Sequence, residues 1–384
     1  MRDVSTALAA IADAGLTRHR RTLDSAQGAH VYMQNRAFLS FSSNDYLGLA
    51  ADPRIAEALC EGARRFGAGA GASHLSSGHH RAHDVLEADL AALVRQPRAL
   101  LFSSGYLANL AAVTTLAGPG CEIFADRLNH ASLNDAMVLS RARFRRYPHG
   151  DVQALARLME NSAAAHKLVL TDAVFSMDGD LAPLRELTAL CARQGAQMLV
   201  DDAHGFGVLG EGSGALVHAG VRSADVVYMG TLGKAAGVSG AFVAGSAELI
   251  ELLIQRARSY VYTTAGPPAL ATALHKSLEL IRLEAWRREH LRELGLQLSA
   301  ELKLKHWRLL PSASAIHPIV IGDNARAVAA SQWLETQGLL VPAIRPPTVP
   351  AGTARLRISL SAGHSPADVS RLIDTLHAAE AAQA

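Results

Sequence analysis

The sequence predicts an α/β fold: a mostly parallel central sheet with helices on both faces, plus a smaller C-terminal α+β domain. Two observations carry that expectation. From about 98 to 245, short apolar strands alternate with helical segments, the pattern of a parallel sheet covered on both sides. Beyond 245 the alternation gives way to a long helical region, about Ser246 to Leu304, and then resumes in another order. At 384 residues the chain exceeds one simple core. The expected division is an arm over 1–45, a large domain over 46–270 and a small domain over 271–384.

In order, residues 1–40 read as a helix (Val4 to Ala14) and a hairpin-like arm, and Ile55 to Phe66 reads as a helix. The expected strands of the sheet are Ala99–Phe102, Glu122–Ala125, Phe144–Tyr147, Leu168–Ala173, Met198–Asp202, Val226–Met229 and Ala241–Ala244. The run Asp225 to Gly230 is the most strand-like of these. The second domain would take strands near Ile316–Ile321, Leu339–Ile344 and Arg355–Leu360. An Ala-rich tail after His377 reads as frayed.

Apolar residues make up 49% and charged residues 19%, as in a protein with a large interior. A net charge of +2 with scattered signs gives no nucleic-acid footprint. Arg141, Arg143, Arg145 and Arg146 alternate like one solvated face of a strand. Cys60, Cys121 and Cys191 lie far apart without CxxC spacing, so neither a disulfide framework nor a zinc site is indicated, and no metal is expected. The N-terminus lacks a signal-peptide core and no apolar run is long enough to cross a bilayer, so the chain reads as cytoplasmic.

The chemistry gathers at strand ends. Thr231-Leu232-Gly233-Lys234-Ala235-Ala236-Gly237 sets one lysine among small residues just past a strand, where sheets of this kind keep their sites. Such a lysine can form a Schiff base with a carbonyl cofactor. Met198 to Gly205 is an apolar strand ending in Asp201, with His204 three residues on. If the cofactor is pyridoxal phosphate, its ring nitrogen needs a carboxylate to hold its proton, and Asp201 is the candidate. Ser103-Ser104-Gly105 joins a strand to a helix, whose first amides and dipole suit a phosphate. Arg355, Arg357 and Ser359 share one face of a strand by period two.

In this order the motifs resemble those of the α-oxoamine synthases, fold-type I pyridoxal-phosphate enzymes that condense an amino acid with an acyl thioester. The matching stretches are Ser42-Ser43-Asn44-Asp45-Tyr46-Leu47-Gly48, Ser103 to Asn109, Asp126 to Ser132, Val174 to Asp180, Asp201 to Gly205 and the Lys234 loop. The resemblance spans about 20 to 377. The tail Ala343 to Arg357, with Arg345-Pro346-Pro347-Thr348, is similar to that of the alanine-using branch. Two departures stand out: Ala236 is small for its place, and His74 stands where arginine is common.

The resemblance implies a fold-type I pyridoxal-phosphate transferase, with L-alanine and a pimeloyl thioester on coenzyme A or an acyl carrier protein as substrates. It implies the decarboxylative condensation of biotin synthesis and a homodimer, with no nucleic-acid or membrane partner. The same resemblance puts Lys234, His130 and Asp201 in catalysis. It places Gly105, Tyr106, His130, Ser176, Asp201, His204, Thr231 and Lys234 around the cofactor. Arg20, Asn44, His130, Thr348 and Arg357 would meet substrate; a one-residue slip within Arg18-His19-Arg20-Arg21 would move the first of these roles.

Other readings stay open. His130 after Asn129 is also a natural helix cap. A glycine-using sister condensation would share every cofactor residue. Gly67-Ala68-Gly69-Ala70-Gly71 suggests a dinucleotide loop but follows a helix where that motif needs a strand. A ligand-sensing regulator would need an attached DNA-binding module, for which no residues remain.

Overall fold

The computed structural model describes residues 3–222 and 226–383. Its main sheet has seven strands in the order Arg98–Phe102, Ala241–Gly245, Val226–Thr231, Gln197–Asp201, His166–Asp172, Cys121–Asp126 and Arg143–Tyr147. All neighbours pair in parallel except Ala241–Gly245, which is antiparallel to both of its partners. Every expected strand of this sheet is present within about two residues. Asp225 lies outside the described residues. The four most central strands are buried along almost their whole length, which is why they read as continuous apolar runs.

Arg143–Tyr147 forms an edge and carries its arginines largely outward, with Arg145 reaching Glu122 at 2.8 Å. Charge on an edge strand discourages pairing with another chain. The arm is a hairpin, His30–Met33 with Arg36–Ser40, preceded by the exposed helix Val4–Asp13.

The helical region after 245 is four helices rather than one run: Ala247–Arg256, Arg258–Val261, Pro268–Leu283 and Ala285–Glu301. Gly266-Pro267-Pro268 makes the main break, because proline removes amide donors and sets the start of a new helix. Helix Pro268–Leu283 crosses helix Pro53–Phe66 closely at Gly62, where a Cβ would come within 2.8 Å of the Ala269 Cα.

The C-terminal sheet takes the order Arg308–Leu309, Ile316–Gly322, Ala354–Ser359, Ala343–Ile344. The single strand expected over Leu339–Ile344 is split around Val341-Pro342. Leu339–Leu340 pairs in parallel with the arm, whereas Ala343–Ile344 pairs with Ala354–Ser359. Pro342 has no amide to continue a ladder, although its carbonyl accepts from the Arg357 amide at 3.0 Å. The tail is also corrected: helix Pro366–Ala382 runs through it, with Ala379 and Glu380 buried. The Glu380 carboxylate accepts the amides of Lys305, His306 and Trp307 at 2.7–3.1 Å, which anchors the last turn. No helix among the described residues is long and apolar enough to cross a membrane.

Candidate active site

The site lies at the C-terminal ends of the parallel strands. Asp201 ends its strand, and directly beside it in register is Asp172 at the end of the next. The loop from Thr231 back to antiparallel Ala241 carries Lys234. Gly237 in that loop has φ +70°, and a Cβ there would lie 2.6 Å from the backbone of Leu49 and Ala50. Glycine thus lets the lysine loop press against the segment after Tyr46.

A cavity of about 730 Å³ opens above these strand ends, with Asn44, His130, Ser176, His204, Lys234, Thr348 and Arg357 on its wall. Sequence positions from 44 to 357 are thereby brought to one place. Lys234 Nζ lies 2.8 Å from His204 Nε2, and His204 Nδ1 lies 2.6 Å from the Tyr46 hydroxyl. Burial, then the nearby charge of Lys234, pushes His204 well below its usual range. A neutral ring that accepts from lysine at Nε2 carries its proton on Nδ1 and donates it to Tyr46. Tyr46 in turn donates to Asn44 Oδ1 at 3.1 Å.

Arg357 is buried and held on several sides. Its Nε donates to the Ser176 carbonyl at 2.6 Å, and one terminal nitrogen donates to Ser359 Oγ at 2.8 Å and Asn44 Oδ1 at 3.3 Å. Its neighbour Arg355 binds Asp178 and the Met177 carbonyl, so two adjacent arginines pin the 176–178 segment. Both arginines are buried, as is the whole of strand Ala354–Ser359.

Asp201 sits beneath the cavity. It accepts from Asn109 Nδ2 at 2.7 Å and from the Ala203 amide at 3.0 Å. Burial, then the charge of Asp201, pushes Asp172 well above the ordinary carboxyl range. Asp202 belongs to the scaffold, accepting from the Ala215 amide and the Tyr228 hydroxyl. Burial pushes it up to about 7.

His130 stands at the start of a helix and on the cavity wall. It caps helix Ala131–Ser140, accepting from the Ser132 amide, and its ring also faces the cavity. Gly105 and Tyr106 open helix Gly105–Leu116 ahead of its first internal bond, Ala108 N to the Ser104 carbonyl, so their amides are not engaged within the helix. They are not on the cavity wall. Tyr106 turns its exposed hydroxyl to Asp135, and Thr231 bonds the Gly240 carbonyl at 3.2 Å. Arg20 also stands apart. It lines a neighbouring hollow with Arg18, Arg21 and Arg345, which shares Pro342, Ile344 and Thr348 with the main cavity.

Tyr46 and Asn109 were not singled out from the sequence, although both lie inside the quoted motifs. An amide side chain amid the apolar residues of a helix, as Asn109 is, was the available signal.

Burial pushes the partly exposed Lys234 amine down to about 8, against the attraction of Asp201. About a tenth is then free base at pH 7, compared with under about a thousandth for an ordinary lysine. Because only the free amine attacks a carbonyl, covalent loading of pyridoxal phosphate into the stripped protein should quicken as pH rises through about 8 and then level off. Stopped-flow absorbance checks this; a rise that continues to about 10 would show an unperturbed amine.

The family model for class I and II aminotransferases matches residues 36–376. The 8-amino-7-oxononanoate synthase of Nitrosomonas europaea is 58% identical over 96% of this chain and 97% of its own. A solved serine palmitoyltransferase of S. paucimobilis, with a bound pyridoxal phosphate–myriocin aldimine, superposes with TM-score 0.94 at 30% identity, covering 99% of each chain. The Francisella tularensis 8-amino-7-oxononanoate synthase superposes with TM-score 0.77 at 28% identity, over 90% of this chain and 98% of that one.

Proposed function

This chain belongs to the 8-amino-7-oxononanoate synthases of the class I and II aminotransferase family, and on that premise we propose that it joins L-alanine to a pimeloyl thioester. The products are 8-amino-7-oxononanoate, carbon dioxide and the free thiol carrier, coenzyme A or acyl carrier protein, in biotin synthesis. The observation that carries the reading is the Lys234–His204 pair, backed by Tyr46, facing Arg357 in one cavity.

The donor set fits pyridoxal phosphate: an amine outside any ion pair among the described residues, a buried carboxylate behind it and a helix start with free amides. Lys234 would hold the cofactor covalently, Asp201 the proton of its ring nitrogen, and His204 its phenolic oxygen. The amides of Gly105 and Tyr106 and the Thr231 hydroxyl would hold its phosphate, with His130 against its face. When bound, the cofactor supplies an electron sink for the alanine Cα and for the departing carboxylate.

The chain's own residues do the rest. Lys234, with its lowered pKa, takes the alanine Cα proton and later returns one to the same carbon. Arg357 holds its guanidinium fork fixed through Nε and one terminal nitrogen, which leaves the other terminal nitrogen to meet the alanine carboxylate. Asn44 and Ser176 flank that fork. Thr348, shared by cavity and hollow, stands where the acyl chain would pass, and Arg20 in the hollow would meet the outer part of the thioester. The same resemblance supports a homodimer. Exposed Tyr106, Val138 and Leu139 on adjoining helices offer apolar surface for it to cover.

The test is a spectral titration of the pyridoxal-phosphate form with L-alanine, glycine and L-serine. L-Alanine should shift the absorbance at the lowest concentration. Tighter response to glycine would move the assignment to a glycine-using sister enzyme.

A further inference from the structure

The geometry points to a second site: His74, His79 and His83 form a binding site for one divalent transition-metal ion of imidazole preference, such as zinc. Each offers a ring nitrogen, and the three atoms lie within 4.8 Å of one another. A tetrahedral zinc with bonds of about 2.0–2.1 Å needs its nitrogen ligands about 3.3 Å apart, so shifts under about 1.5 Å would complete the set.

The surrounding bonds resemble those around metal-bound histidines. His79 Nε2 lies 2.9 Å from Asp84 Oδ1, and His83 Nε2 lies 2.9 Å from the Gly266 carbonyl. Both partners only accept, so both histidines carry a proton on Nε2, and a neutral ring offers Nδ1 as the ligand. His74 Nδ1 and His79 Nδ1 face each other at 2.7 Å. One proton must lie between them, and a metal ion takes its place. His83 Nδ1 accepts the His80 amide at 3.0 Å and exchanges that bond for the metal.

The rings are also braced. His74 stacks on Tyr260 with centroids 4.9 Å apart and planes 12° from parallel, and Tyr260 lies on a separate helix. An ion here ties the 74–78 turn to helix Arg81–Leu93. A cavity of about 130 Å³ lined by His74 and His83 gives it a way in and leads to Ser103 and Gly240. Three imidazoles leave one position for water, a set that suits zinc, nickel or copper rather than magnesium or calcium.

Untagged, cofactor-loaded protein, stripped with chelator, should be titrated with zinc by calorimetry and with cobalt by visible absorbance. One equivalent per chain is expected, with the cobalt bands of a four-coordinate ion. His79→Asn and His74→Asn should each weaken binding by at least about tenfold, and Asp84→Asn by about tenfold through loss of the orienting bond. Lys234→Ala should leave it unchanged. Absence of binding at micromolar zinc, or one equivalent that survives both histidine substitutions, would overturn the site. His79 and His74 are used because neither is fully buried, whereas His83 is 2% exposed and its replacement threatens the fold.

Discussion

Lys234→Ala is expected to lower turnover by about 10⁴-fold or more, the usual cost of removing a covalent group that also moves protons. Among the described residues that line the cavity, the amine is the only group that can do both. Its loss leaves His204 without the 2.8 Å contact but creates no buried charge, so the variant should fold and still bind pyridoxal phosphate through the remaining contacts. The absorbance of the protein-bound Schiff base should vanish in parallel with activity. Retention of more than about a hundredth of wild-type turnover would mean that another base carries the proton.

Asp201→Asn should cost on the order of 10³-fold in turnover, within the range for lost proton control at a reacting system. Structure should change little. Asn109 donates to both Asp201 and Ser132, and its own Oδ1 has no partner, so rotation of that amide would offer the new side chain an acceptor at the cost of the bond to Ser132. Cofactor should therefore load covalently and keep its colour, while exchange of the alanine Cα proton with solvent slows by the same factor as turnover. Normal exchange with lost condensation would place Asp201 in a later step.

Both predictions rest on residues that stand out in the sequence. Asp201 and Lys234 each follow a strand so apolar that the polar residue at its end stands out, and the sheet puts those ends side by side. The strands of the main sheet were legible for the same reason, being buried on both faces. Much of the remainder was not. Tyr46 and Asn109 act through other side chains, and nothing local distinguishes a buried tyrosine hydroxyl with three partners from one in plain core packing. The split at Pro342 depends on which sheet each half meets, a long-range choice. The C-terminal helix reads as frayed only until Glu380 is seen gathering three amides from a loop over seventy residues earlier.

The resemblance puts an arginine near substrate, and the fold sets Arg20 in the adjoining hollow with Arg18 and Arg345. Gly105, Tyr106 and Thr231 likewise lie off the cavity wall.

The central claim is the condensation itself, and its most direct measurement is product mass by liquid chromatography with pimeloyl-coenzyme A and carboxyl-labelled L-alanine or glycine. The account predicts 8-amino-7-oxononanoate from alanine, with one labelled carbon dioxide and one free thiol per product, and at most traces from glycine. A product built on glycine in greater yield, or thiol release without labelled carbon dioxide, would contradict it.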